Sequence, residues 1–139
     1  MVRINLINPE HLADQHLIAE YNEILMLFGY IRKYPKLNKD IPEKYCLGEG
    51  HILFFKDKLI YLKKRYNAIK KEMKKRGFRA EKSINIKSIP KILLKDWNPN
   101  KNDYEIIKKR IITKIKKKPG YYSYCGIKRK KEFFINLLK

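Results

Sequence analysis

The stretch HLADQHLIAEYNEILMLFGYI, residues 11–31, decides the fold of this chain, because its apolar residues recur near the helical period. Just before it, Asn8-Pro9-Glu10 supplies a capping side chain, a proline suited to the first helical turn and an early acid. The sequence therefore predicts a first helix from about residue 9 to 32, with one apolar side in the core. That side consists of Leu12, Leu17, Ile24, Leu27, Phe28 and Ile31.

Two further helical patterns follow. The second runs from Ile52 to Met73 and ends at Arg76-Gly77, where a glycine after basic residues is a common helix stop. The third begins near Asn102-Asp103 and ends at Pro119. Residues 78–102 are irregular apart from one short helical turn in SIPKILLKDWNPN, and no segment alternates like a strand. We predict an all-α fold of three main helices with long irregular loops.

The length and the cysteine content bound the class of protein. A chain of 139 residues is the size of one ordinary domain, so we predict a single compact domain over residues 1–139. Within it, residues 128–139 form a basic and aromatic, weakly helical C-terminal extension. Cys46 and Cys125 lack zinc-ligand spacing and are expected to be reduced thiols. No targeting segment or membrane-length apolar run is present, which predicts a cytoplasmic, nucleoid-associated protein without membrane contact.

Charge is distributed unevenly along the chain. Residues 1–50 contain six Lys or Arg against seven Asp or Glu, whereas residues 51–139 contain 28 against seven, a difference of +21. Such a field attracts polyanions, with nucleic acid as the first candidate and anionic lipid or acidic protein as further candidates. The alternative is that the lysines only solvate helix faces. Lysine-rich composition of that kind usually raises the glutamate content as well, which is not seen here.

His16, Glu20 and Glu23 lie four and then three residues apart, hence along one side of the first helix. Three interpretations remain open at this point. With His11 or His51 they could bind a metal, although the spacing matches no well-specified motif. They could be a solvated flank with local hydrogen bonds. They could also be a catalytic face, on which a rigidly held carboxylate works beside a nucleophile.

The chain offers one nucleophile for such a face. Val2 is small enough that the initiator methionine would often be removed, which leaves an α-amine ahead of RINL. At a pKa near 7.7 to 8, on the order of a tenth of such amines are unprotonated at neutral pH, far more than for lysine. Arg3 and the basic field lower that pKa further, whereas a nearby glutamate opposes the shift.

Five segments occur in the order and at the intervals found in the pyrimidine-dimer DNA glycosylase family, the phage-type endonuclease V. They are RINL (3–6), LADQHLIAEY (12–21), GEGHILFFKDKL (48–59), KKRGF (74–78) and KPGYYSYCG (118–126). The chain resembles this family over most of residues 2–126. The loops around residues 34–45 and 80–103 diverge, and the tail from Lys128 has no counterpart.

The resemblance implies a compact all-α monomer that acts on double-stranded DNA with damaged bases and needs no metal or other cofactor. In that family an N-terminal α-amine attacks the deoxyribose C1′, releases the base through an imine, and β-elimination then cuts the strand. The resemblance makes Val2 the nucleophile and Glu23 the carboxylate that stabilises the sugar intermediate and assists proton removal. It assigns DNA or pocket contacts to Arg3, Gln15, His16, Asn22, Arg110, Lys114, Tyr121, Tyr122 and Tyr124.

Three positions depart from the family. Asn22 and Met26 stand where the family has arginines, and Tyr121 stands where the phage enzyme has tryptophan. The substrate is therefore a pyrimidine dimer or a related lesion, or the protein is chiefly an abasic-site lyase. The alternative function is a non-catalytic, basic nucleic-acid-binding domain on the same scaffold. For Gln15 and His16 an ordinary surface role is the competing interpretation, and for the tyrosines it is packing of the tail on the first helix.

Overall fold

A computed structural model describes residues 4–37 and 39–139. Helix accounts for 53% of the chain and strand for 4%, which confirms the predicted all-α class. In the described residues there are five α-helices, two 3-10 turns and one short hairpin. The helices are α1 (Asp14–Lys33), α2 (His51–Phe55), α3 (Leu59–Lys75), α4 (Lys101–Lys117) and α5 (Lys131–Leu137). The 3-10 turns are Pro9–His11 and Lys91–Leu93, and the antiparallel strands are β1 (Ser123–Tyr124) and β2 (Ile127–Lys128).

The first helix begins later than its sequence pattern predicts. Asn8 does act as a cap, since its side-chain oxygen accepts the Glu10 N–H at 3.0 Å, but the turn that it caps is the 3-10 turn. The backbone of Leu12 and Ala13 is then extended, and both side chains are buried. Burial of these two residues requires the extended step, so α1 starts at Asp14 and ends at Lys33.

The second predicted helix is two helices. The chain breaks at Lys56–Lys58 because the carbonyl of Asp57 accepts the N–H of Lys95 at 3.1 Å, a partner from a distant segment. The separate helix α2 can then bury the consecutive rings Phe54 and Phe55. The predicted glycine stop at the end of α3 is confirmed, with Gly77 at φ 87°.

Helix α4 agrees with the prediction closely. Asn100 and Asp103 form a reciprocal capping box, in which each side chain accepts the other residue's N–H at 2.9 Å. The helix ends at Lys117, two residues before Pro119.

The C-terminal tail is more ordered than predicted. A tight turn with Cys125 at φ 52° and Gly126 at φ 80° joins β1 to β2, a pair of positive φ values that suits a two-residue hairpin loop. Helix α5 follows and packs against α4.

Helix α1 lies at the centre of the molecule and packs along α3. One cluster of buried apolar side chains extends from Ile4 through both helices to Leu138. In the described part of the chain, no helix is long and apolar enough to span a membrane.

Candidate active site

A pocket of about 270 Å³ opens between the first half of α1, helix α4 and the segment that follows α4. Its walls are partly apolar, but three cationic side chains and several neutral polar groups also face it. The lining residues are Asn5, Gln15, His16, Ala19, Ile107, Arg110, Ile111, Lys114, Lys118, Tyr121 and Tyr122. The pocket is thus suited to a ligand that carries both an apolar part and negative charge.

The chain segment that begins at Ile4 is fixed at the edge of this pocket by buried hydrogen bonds. The Ile4 N–H donates to Nε2 of His51 at 2.9 Å, and the Ile4 carbonyl accepts from the Tyr45 hydroxyl at 2.9 Å. Because Nε2 accepts, the proton of the neutral His51 ring is on Nδ1, which lies 2.7 Å from the Cys46 carbonyl oxygen. His51 therefore orients the chain start without carrying a charge in this arrangement.

Two cavities adjoin the anchored segment. Asn5 lines the pocket described above, and His51 lines a second cavity of about 500 Å³ between α2 and the second half of α1. Asn5 therefore borders the pocket, and the preceding residue, Ile4, is bonded to the histidine that lines the second cavity.

Glu20 is committed to the structure of this region. Its carboxylate receives two hydrogen bonds from the Arg65 guanidinium, at 2.8 and 3.0 Å, and one from the Asn5 N–H at 3.1 Å. Arg65 also donates to the Ile7 carbonyl at 2.6 Å. Burial by itself lowers the pKa of Arg65, but the adjacent Glu20 carboxylate raises the pKa by more than burial lowers it. The pair therefore stays ionised. The pair locks residues 5–7 onto α1 and α3.

Glu23 is in a different environment. It is half-buried and follows Glu20 by three residues, which is about 4.5 Å along a helix axis. In the described part of the chain its carboxylate has no ion-pair partner. Of the two glutamates, Glu23 is the one whose charge the described residues leave available for a ligand.

His16 forms part of the pocket wall as a neutral ring. The pKa of His16 is lowered to about 4, first by burial and then by the positive charges of Lys114 and Arg110. Its ring lies 4.8 Å from that of Tyr122. Both ring nitrogens are buried, and neither has a hydrogen-bond partner in the described residues. A ligand in the pocket can therefore supply the missing partner.

The wall opposite α1 is held by Asp14 and Gln15. Asp14 is buried, and its carboxylate accepts from the Ser123 hydroxyl, the N–H groups of Cys125 and Gly126, and Arg76, all between 2.8 and 3.0 Å. Gln15 accepts the Ser123 N–H at 3.0 Å and donates to the Ser123 hydroxyl at 3.1 Å. Two adjacent residues of α1 thus position the segment after α4.

The three tyrosines of that segment have different surroundings. Tyr122 is buried against His16 and against Phe134 of α5, with ring centroids 6.2 Å apart for the latter pair. Tyr121 is 49% exposed at the rim of the pocket. The Tyr124 hydroxyl donates to the Glu10 carbonyl at 2.7 Å, and the Arg76 guanidinium lies 4.1 Å from its ring centre. Tyr124 therefore contacts the 3-10 turn that precedes α1 and is not part of the pocket lining.

A sequence model of one family, described as pyrimidine dimer DNA glycosylase, matches residues 1–86, more than half of the chain. The chain belongs to this family. It is therefore a DNA repair glycosylase, of a family that acts on UV-damaged DNA. The matched part of the glycosylase contains Glu23, His16 and His51, whereas α4 and the aromatic segment lie beyond it.

The predicted site residues of the glycosylase fall into groups. Val2 and Arg3 lie outside the described residues. Six predicted residues line the pocket together, whereas Glu23 is not part of the lining and lies on the same side of α1, one turn beyond Ala19. Asn22 and Met26 are exposed farther along α1, Met26 by 68%, and neither is part of the pocket lining. The six lining residues are Gln15, which also binds Ser123, and His16, Arg110, Lys114, Tyr121 and Tyr122.

Sequence reasoning missed several residues that build the site of the glycosylase. Asp14, His51 and Arg65 each bind groups between 45 and 112 residues away in sequence, so no local pattern reveals their partners. The one available signal was an acid in the first turn of α1, which suits a helix N-terminus and does not point to Ser123. No group of three or more His, Cys, Asp or Glu suited to a metal occurs in residues 4–37 and 39–139.

Proposed function

We propose that this glycosylase removes a damaged base through an imine with its N-terminal amine and then cuts the strand as an abasic-site lyase. The nucleophile is the α-amine of Val2 after removal of Met1. The observation that carries this proposal is the anchoring of Ile4 at His51 and of Asn5 at Glu20, beside the pocket that Asn5 lines.

The path of the anchored segment supports the assignment. The Asn5 N–H lies at Glu20, and Ile4, one residue earlier, lies at His51. Two peptide units separate the nitrogen of residue 2 from that of Ile4, so the covalent chain limits their separation to about 7 Å. Glu23 follows Glu20 on α1 by about 4.5 Å along the axis. The covalent chain therefore allows an amine at residue 2 and the Glu23 carboxylate to act on the same sugar.

The chemistry follows from these two groups. The amine attacks C1′ of the deoxyribose as the bond to the base breaks, and the base leaves with the bonding electrons and takes up a proton. The nitrogen then loses one proton, and its lone pair expels the ring oxygen O4′ from C1′. O4′ takes up a proton, and the opened sugar is left as a protonated imine. Positive charge develops at C1′, and the Glu23 carboxylate stabilises it electrostatically. Removal of a C2′ proton then expels the 3′ phosphate. Glu23 is the base for that proton.

The pocket supplies binding and orientation. Arg110, Lys114 and Lys118 supply positive charge for phosphates on one side, and the neutral His16 offers a hydrogen bond to the displaced nucleotide. Exposure of C1′ requires a nucleotide turned out of the stack, which is cheaper at a damaged site. Duplex DNA with a damaged pyrimidine is therefore the proposed partner, and the protein binds it as a monomeric single domain over residues 1–139.

Borohydride trapping tests the proposal. Wild-type protein lacking Met1 should form a covalent adduct with ultraviolet-irradiated duplex and with abasic duplex, at a mass equal to protein plus the trapped strand or, after β-elimination, its 5′ part. Glu23→Gln should bind the same duplexes but form little adduct. Val2→Leu is the matched control for the amine, because a large residue at this position keeps Met1 in place and should abolish trapping. An unmodified wild-type protein on both duplexes contradicts the proposal.

A further inference from the structure

A third concave surface, distinct from the pocket and from the cavity at His51, lies beside the pocket, and we call it the tail groove. It measures about 410 Å³ and is lined by Pro119, Gly120, Lys128, Arg129, Lys130, Lys131 and Glu132. It lies outside the part of the chain that matches the family.

The tail groove and the pocket share a wall. Lys118 and Tyr121 line the pocket, while Pro119 and Gly120, the two residues between them, line the groove. Lys128 returns from β2 to this wall, where its ammonium group lies 5.1 Å from the Tyr121 ring centre and donates to the Tyr121 carbonyl. The groove therefore begins where the pocket ends, at Tyr121.

The groove is held rigidly. The Arg129 N–H donates to the Tyr122 carbonyl at 3.3 Å, so β2 is tied to the ring that covers His16. Behind it, α5 buries Phe134 and Leu138 in the core. The position of the groove relative to the pocket is thus set by the same contacts that build the pocket.

Four consecutive cations line the groove against one acid, Glu132. Residues 128–131 are exposed, and none of them takes part in an ion pair within the described part of the chain. Lys130 and Lys131 also stand at the start of α5, where the free N–H groups of a helix disfavour positive charge. Their charge therefore does not serve the stability of the helix.

We infer that the tail groove binds the DNA backbone on one side of the lesion and extends the contact beyond the pocket. This inference rests on the proposed function, because it takes the pocket to be the lesion site. The ligand is a run of phosphates. Lys130 and Lys131 contact it directly, and Lys128 holds the wall between lesion and flank.

The test compares Lys130→Gln/Lys131→Gln with the matched control Lys82→Gln/Lys87→Gln. The control lysines are equally exposed, but their segment packs on the other side of α1, where the Lys82 N–H donates to the Tyr21 hydroxyl. Binding to undamaged duplex is measured over a series of salt concentrations. The tail variant should lower the slope of log K against log salt by about 1.8, the value for two phosphate contacts, and the control should leave it unchanged.

Duplexes with one defined thymine dimer locate the contact. Shortening the flank on one side of the dimer should abolish the difference between wild type and tail variant, and shortening the other flank should preserve it. The inference is overturned if the slopes of tail variant and wild type agree, if the control shows the same loss, or if the difference survives both truncations. A surface that serves an acidic protein would give the first of these results.

The design separates this inference from the proposed function. If the wild type does not cut the strand but the tail variant has a reduced salt slope, the proposed function is rejected and DNA binding by the tail groove is retained. If the wild type cuts normally and the two salt slopes are equal, the proposed function is retained and DNA binding by the tail groove is rejected. Lys130→Glu/Lys131→Glu provides a second variant in which the loss should be larger, and circular dichroism checks that α5 remains folded in both.

Discussion

Glu20 and Glu23 show how two identical residues on one helix can have different environments. Glu20→Gln leaves Arg65 as an uncompensated buried cation, so the free energy of unfolding should fall by about 3 to 5 kcal/mol. Glu23→Gln should change that free energy by less than about 0.5 kcal/mol, because the site is half-buried and without an ion pair among the described residues. Urea unfolding of both variants measures the difference.

Activity should be affected in the opposite order. At a temperature at which Glu20→Gln is still folded, it should retain trapping with abasic duplex, whereas the stable Glu23→Gln should lose it. A stable, active Glu23→Gln would remove Glu23 from the mechanism. Equal destabilisation by both changes would contradict the environments described for the two carboxylates.

His16 should make the protein sensitive to acid. Its pKa is lowered from the ordinary histidine value of 6.5, which applies to the unfolded chain, to about 4 in the folded protein. Between these two values the unfolded chain binds more protons, so stability contributed by neutral His16 is complete above pH 6.5 and is lost as pH falls toward 4. The loss should be on the order of 3 kcal/mol, and below pH 4 it should not grow further. Melting temperatures across this range measure it.

His16→Gln should lose most of this pH dependence, because glutamine does not titrate. His11→Gln, which changes an exposed histidine, is the matched control and should melt like the wild type at each pH. A wild type whose stability is flat between pH 4 and 6.5 would show that His16 is protonated in the folded protein.

For single residues, the sequence could predict which polar side chains share one side of a helix but not the role of each of them. The spacing of His16, Glu20 and Glu23 correctly predicted that they share one side of a helix. The spacing could not show that, among the described residues, Glu20 is ion-paired while Glu23 is not, because the partner of Glu20 is Arg65, 45 positions away. The ordering of side chains by long-range partners is a tertiary property.

At the scale of elements, Asp14 joins α1, the end of α3 and the β1–β2 hairpin. Asp14→Asn replaces one of the two carboxylate oxygens, which accept hydrogen bonds, by an NH2 group, which donates them. In one orientation of the amide the NH2 group faces the Ser123 hydroxyl and the Gly126 N–H, and in the other it faces the Arg76 guanidinium. We expect a loss of about 3 to 5 kcal/mol in the free energy of unfolding, since Arg76 keeps a buried charge with one partner fewer. Chemical denaturation measures this loss.

The same substitution should also weaken lesion binding, because the segment that carries Tyr121 and Tyr122 loses its attachment to α1. A fall of at least about tenfold, which corresponds to about 1.4 kcal/mol, is expected for an abasic duplex. Asp96→Asn is the matched control, an exposed acid paired with Lys64 at the surface, and it should alter neither quantity. If Asp14→Asn is destabilised but binds the lesion normally, then attachment of the hairpin to α1 is not needed for lesion binding.

Element boundaries were predictable where local chemistry sets them. The capping box of Asn100 and Asp103 and the glycine at residue 77 both lie within a few residues of the ends that they define. The break at Lys56–Lys58 depends on Lys95, and the hairpin depends on Asp14, so neither has a local signature. The all-α class was therefore accessible from the sequence, while the number of helices was not.

At the scale of the whole molecule, the net charge of +20 has two opposing consequences. It attracts polyanions, and in the proposed function it draws DNA to the surface that α4 and the tail groove form beside the pocket. It also destabilises the compact state, because like charges on one small domain repel each other. The uneven distribution of charge along the sequence predicted a polyanion partner but not which surface faces it, because the cations of residues 51–139 are shared among α3, α4, α5, the hairpin and the segments between them.

Salt should therefore stabilise the free protein and weaken its complex with DNA. Added potassium chloride screens the repulsion, so the melting temperature of the free protein should rise with salt concentration. A short undamaged duplex at low salt should raise it further, because it binds only the folded state, and this additional shift should vanish as salt increases. A neutral solute at equal osmolality is the control. A melting temperature of the free protein that falls with salt would mean that attractive ion pairs such as Glu20–Arg65, and not repulsion among the lysines, dominate its electrostatics.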